Sequence, residues 1–100
     1  MTDLSFLAEL ENIVNSRIRQ APESSYTARL ARAGILAAAQ KLGEEGVELA
    51  LAAAAQADDN VRDEAADLLF HLLVVLAMRE IPLASVVGTL AERHQQRSTR

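Results

Sequence analysis

Two long stretches, 35–56 and 61–80, place their apolar residues at helical period, and only the turn ADDN at 57–60 separates them. So short a connection makes the two helices antiparallel neighbours. Before them, Leu4, Phe6, Leu7, Leu10, Ile13, Val14 and Ile18 form one apolar face, with Glu9, Glu11, Asn12 and Arg17 opposite. That pattern predicts an amphipathic helix from Leu4 to about Arg19, with Thr2 or Asp3 as its N-cap. Pro22 breaks the pattern in QAPESSYTARLARAG, which reads as a loop leading into a short helical turn that stops near Gly34. Pro82 suits the first turn of a last helix, Leu83 to about Gln95, and the polar tail at 96–100 is expected to fray. Half of the residues are hydrophobic but only three are aromatic, with four glycines and two prolines, so the core is built from alanine, leucine and valine. This mix favours helices over sheets. The expected fold is all-α: one domain over residues 1–100, an antiparallel bundle of about four to five helices.

The helix at 61–80 is polar at its start (Asp63, Glu64, Asp67) and apolar almost all round after Leu68. A chain of 100 residues has little to cover such a helix with, so a homodimer or larger homo-oligomer is expected. The net charge of −4 and pI near 5.1 give no general basic surface for nucleic acid or membrane. Without cysteine there are no disulfides and no thiol chemistry, which fits a cytoplasmic protein. The N-terminal MTDLSFLAELENIV lacks the basic and apolar blocks of a signal peptide, and the apolar run LLFHLLVVLAM at 68–78 is too short to cross a bilayer.

Against this apolar background KLGEEGVELALAAAA, residues 41–55, carries Glu44, Glu45 and Glu48. Glu45 and Glu48 are three residues apart and share a helix face, with Cβ atoms about 5–6 Å apart. Glu64 and Asp67 repeat the spacing on the next helix, and the short turn allows the two pairs to face each other. Paired acids on a helix are commonly a solvated face. Four converging carboxylates would instead need cations, and oxygen ligands suit magnesium, manganese or calcium. The iron-type carboxylate bundle uses Glu-x-x-His, whereas Glu64 has Asp67 at that spacing. His71 lies one turn beyond Asp67, either a ligand or a structural histidine hydrogen-bonded to Asp67.

EEGVE at 44–48 followed by EAAD at 64–67 resembles the EExxE and ExxD signature of the all-α nucleotide pyrophosphohydrolases, the MazG-like superfamily. PESSYTARL at 22–30, KLGEE at 41–45 and DEAADLLFHLLVVL at 63–76 narrow the resemblance to the phosphoribosyl-ATP pyrophosphohydrolase family of histidine biosynthesis, over Leu4 to His94. Gly46 departs from the helix former expected there. The resemblance implies cleavage of the α–β phosphoanhydride of phosphoribosyl-ATP, giving phosphoribosyl-AMP and pyrophosphate. It implies Mg²⁺, with Mn²⁺ as a possible substitute, on Glu45, Glu48, Glu64 and Asp67, where the cation reverses the local charge and bridges protein to phosphate. Glu44 is then a further ligand or the base that orients the attacking water.

Ser24, Ser25 and Tyr26 stand where ordinary helix caps belong; under the resemblance they form a substrate loop with Arg29, since hydroxyls, helix N-terminal amides and an arginine can donate to phosphate. Lys41, one turn before Glu45, is either a salt-bridge partner of Glu45 or a phosphate contact. Arg93, His94 and Arg97 are a basic helix end with no assigned role. Two rival functions use the same residues: a housecleaning hydrolase of non-standard or deoxy nucleoside triphosphates, and a non-catalytic helical dimerisation module.

Overall fold

The computed structural model describes residues 3–98, and every element among them is a helix: α1 (Ser5–Gln20), α2 (Tyr26–Ala33), α3 (Ile35–Ala55), α4 (Asp58–Met78) and α5 (Leu83–Ser98). Thr2 and the last two residues of the expected frayed tail lie outside the described residues.

Local chemistry sets the ends. Leu4 occupies the N-cap position of α1 without a side-chain bond. Asp3 supplies one instead, its carboxylate accepting from Ser5 N at 2.7 Å. The segment before Gly34 is a full eight-residue helix, α2, because the Ser25 hydroxyl accepts from Ala28 N at 3.2 Å and fixes its first turn. The turn between α3 and α4 is shorter than ADDN suggests. Asp58 and Asp59 belong to the first turn of α4, where negative charge is favourable, leaving Gln56 and Ala57 as the connection. At the far end, α5 runs through Gln95 to Ser98, since this stretch contains neither glycine nor proline to stop it.

Helices α3 and α4 form the most extensive packing, an antiparallel hairpin, with α1 packed against α4 and α2 against both. Val14 of α1 and Leu73 and Val74 of α4 are the buried centre, and Leu7, Ile18, Leu30 and Phe70 pack around them. Helix α5 leaves this body at 109° to α4. The corner is made by Glu80 at φ 57° and by Glu11 of α1, whose Oε2 accepts from Leu83 N at 2.6 Å. Among the described residues no single helix is long and apolar enough to cross a membrane.

Two glycines stand in the interior of α3. A Cβ on Gly46 would meet Leu68 Cδ1 at 3.9 Å, an ordinary contact, and one on Gly43 would meet nothing within 4 Å. Gly46→Ala should therefore stabilise the protein by about 1 kcal/mol through helix propensity. Thermal melts at fixed protein concentration should show a rise of roughly 4–8 °C for a domain of this size; a fall would mean that the helix is distorted at that position.

Candidate metal centre

The hairpin brings Glu45 and Glu48 of α3 against Glu64 of α4. One carboxylate oxygen from each lies within 4.8 Å of the others. Glu45 is only 4% exposed, Glu64 is half-buried and Glu48 is open to solvent. Lys41 Nζ sits 3.2 Å from Glu45 Oε1, and this ion pair holds the lysine proton more tightly, first by the hydrogen bond and then by charge. One cation does not match three acids. Glu45 Oε2 and Glu64 Oε2 are buried with no hydrogen-bond donor. Orphaned carboxylate oxygens of this kind are costly, and a hard divalent cation, which takes oxygen ligands, fits them.

Asp67 and Glu44 are not within this group. Both side chains are exposed: Asp67 lies one turn after Glu64 on α4, and Glu44 lies one turn before Glu48 on α3. The partner expected for His71 was the Asp67 side chain, but the histidine uses that residue's main chain: Nδ1 is 2.7 Å from the Asp67 carbonyl oxygen. Its Nε2 lies 2.9 Å from the Tyr26 hydroxyl. The ring is buried and edge-on to both Tyr26 and Phe70. The Tyr26 contact joins residues 45 apart, and the sequence holds no spacing that signals it; a lone histidine among leucines says only that two partners are needed.

The PESSYT segment lies where α2 begins. Ser24 is exposed, Ser25 caps α2, Tyr26 is its first residue, and Arg29 Nη1 donates to the Glu23 carbonyl oxygen at 3.4 Å. Capping leaves the Ser25 hydroxyl proton available to another acceptor.

The charge of Glu45 pushes the Glu48 carboxyl above the ordinary glutamate value; desolvation, hydrogen bonding with Glu45 and Glu64 and the charge of Glu64 act in the same direction. Two carboxylates hydrogen-bond only when one keeps a proton, so with all three ionised the group is held by nothing but its surroundings. Between the ordinary and the raised value the folded protein therefore holds more proton at Glu48 than the unfolded chain does. Stability from this source is complete below the ordinary value of 4.5 and is lost as pH rises through the raised one. In chelator, the melting temperature of wild type relative to Glu48→Gln should fall as pH is raised from about 4.5 to 7. Equal pH dependence in the two proteins would place no shared proton here.

The family model described as phosphoribosyl-ATP pyrophosphohydrolase matches residues 7–94. The chain is 51% identical over 96 residues to the phosphoribosyl-ATP pyrophosphatase of Rhizobium meliloti (strain 1021), covering 96% of this chain and 89% of that protein. With the enzyme of the same name from Agrobacterium fabrum it shares 51% identity over 90 residues, 90% of this chain and 84% of the relative. To the histidine biosynthesis bifunctional protein HisIE of Yersinia pestis it is 46% identical over 95 residues, 95% of this chain and 47% of that longer protein.

Proposed function

The chain belongs to the phosphoribosyl-ATP pyrophosphohydrolase family, and from that premise we propose that it hydrolyses the α–β phosphoanhydride of phosphoribosyl-ATP to phosphoribosyl-AMP and pyrophosphate, a step of histidine biosynthesis. The observation that carries this reading to a site is the convergence of Glu45, Glu48 and Glu64 with two buried oxygens left without donors. These three carboxylates, with Asp67 as the fourth, would hold Mg²⁺, or Mn²⁺ in its place. The cation supplies charge neutralisation and polarisation of the phosphoryl oxygens. Lys41 fixes Glu45 from the open side and is the cationic group assigned to a phosphoryl oxygen. Glu44, exposed beside this cluster, is assigned to orienting the water and taking its proton. Ser24, Ser25, Tyr26 and Arg29 form the substrate loop. Ser25 suits this because its hydroxyl proton remains free while its oxygen caps α2.

The assembly we propose is a homodimer or larger homo-oligomer. Its support is an apolar stripe on α3, Leu36, Val47 and Leu51, recurring on one face and exposed, with Leu36 at 85%. A cytoplasmic enzyme with no nucleic-acid or membrane partner accords with the acidic net charge of −4.

The test is pyrophosphate release by the purified protein with Mg²⁺, comparing phosphoribosyl-ATP with ATP and with deoxy and modified triphosphates. A strong preference for phosphoribosyl-ATP is expected. Turnover of the other triphosphates alone would reassign the enzyme to nucleotide-pool cleaning, and no turnover of any would leave a helical module with a solvated acidic face.

A further inference from the structure

We infer that the Tyr26 hydroxyl acts toward substrate as a hydrogen-bond acceptor, held in that role by His71, and that it recognises a ribose hydroxyl and not a phosphoryl oxygen. This rests on the nucleotide substrate proposed above. It goes further by assigning a direction to one hydrogen bond.

The direction follows from the two bonds of His71. A main-chain carbonyl can only accept, so Nδ1, 2.7 Å from the Asp67 oxygen, carries a hydrogen. In the neutral ring Nε2 is then a lone pair. The Tyr26 hydroxyl, 2.9 Å away, donates to it. A phenol has one proton, and that proton is used. What the oxygen has left to offer is a lone pair, which repels a phosphoryl oxygen and attracts a donor.

Position makes this relevant to substrate. Tyr26 opens α2 directly after Ser24 and Ser25, and it is 42% exposed although its partner His71 is buried at 6%. Its partner His71 stands two helical turns after Glu64 of the acidic group on α4, so the bond to His71 brings Tyr26 to the helix face that carries Glu64. A nucleotide whose phosphates are drawn to that group carries its ribose next to them. Ribose hydroxyls are the donors nearest the phosphates. Phe70 and His71 fix the phenol ring from two sides, with centroids at 6.2 and 5.8 Å, so the acceptor is held in one place. His71 is accordingly a positioning residue, acting only through Tyr26.

Three measurements test this. Long-range proton–nitrogen NMR correlations of the imidazole, assigned to His71 by their loss in His71→Gln, should show hydrogen on Nδ1 and none on Nε2; hydrogen on Nε2, alone or together with Nδ1, overturns the inference without reference to turnover. With phosphoribosyl-ATP and its 2′-deoxy and 3′-deoxy forms in the ATP ribose, wild type should lose roughly five- to tenfold in kcat/KM on one of the deoxy forms, the worth of one hydrogen bond. In Tyr26→Phe that ratio should fall to near one. A full ratio retained in Tyr26→Phe, or no penalty in wild type, overturns it. In His71→Leu the phenol keeps its lone pairs but its proton is no longer tied up, so the ratio should fall part of the way toward one, whereas His71→Gln, whose amide oxygen can accept from Tyr26, should hold it closer to wild type. A merely structural histidine would lower activity on all three substrates alike and leave the ratio unchanged, which would also overturn it. Should wild type ignore phosphoribosyl-ATP and cleave another triphosphate, the substrate reading alone fails. The tautomer, and the ribo-to-deoxy ratio on that triphosphate, still decide the role of Tyr26.

Discussion

Glu45→Gln should lower pyrophosphate release by at least about a hundredfold and yet leave the cation-free protein no less stable than wild type. The two effects come from the same atoms. Glu45 is buried beside Glu48 and Glu64 with one oxygen lacking a donor, so removing its charge relieves repulsion in the cation-free state. The ion pair with Lys41 that is lost in exchange is screened by solvent on the lysine side and contributes little. With Mg²⁺ the order reverses. Wild type should gain about 2.7 kcal/mol at a cation concentration one hundred times its Kd, and Glu45→Gln should gain far less. Melting with and without Mg²⁺, beside the pyrophosphate assay, reads both. A variant that kept near-normal activity and the full increment would remove the carboxylate centre from the enzyme. Asp67→Asn belongs in the same series and should also abolish turnover; near-normal activity there would reduce the proposed ligand set to the three glutamates.

Leu73→Ala should cost about 3 kcal/mol of stability, among the larger effects available in this chain. Leu73 packs with Val14 and Val74 in the buried centre, and α1 and α4 meet there. Among the described residues the other buried apolar positions are alanines. A cavity at this point strips contacts from the half-buried side chains that close over the centre, Leu7, Ile18, Leu30 and Phe70 among them. The melting temperature should drop by roughly 12 °C or more at fixed protein concentration. A loss of only a degree or two would mean that burial at α1 and α4 is not what holds the chain together.

What could be read from the sequence was what has a local cause. Helical period located α1, α3 and α4, and the short connection after Ala55 allowed Glu48 to face Glu64, as it does. The same local reasoning failed where two residue roles compete. ADDN has turn composition, but Asp58 and Asp59 serve as well in a first helical turn, and the helix won. For Asp67 the spacing says less: it shares with Glu64 the i, i+3 spacing that Glu48 has with Glu45, but spacing fixes a helix face only to within a turn, and Asp67 stands exposed one turn from the three glutamates. Contacts between distant parts of the chain had no signal at all. Neither the Tyr26 to His71 bond nor the capping of α5 by Glu11, 72 residues before Leu83, is implied by any pattern near those residues.

The two-residue link between α3 and α4 also bears on how the chain folds. Contacts within a helical hairpin are local in sequence and form early, whereas those that bring α1 onto α4 join residues far apart and form later. The three glutamates therefore meet before much of the core exists to hold them. Their repulsion is present in the folding transition state, so Mg²⁺ should speed refolding as well as slow unfolding, and the cation becomes a participant in the search for the native fold.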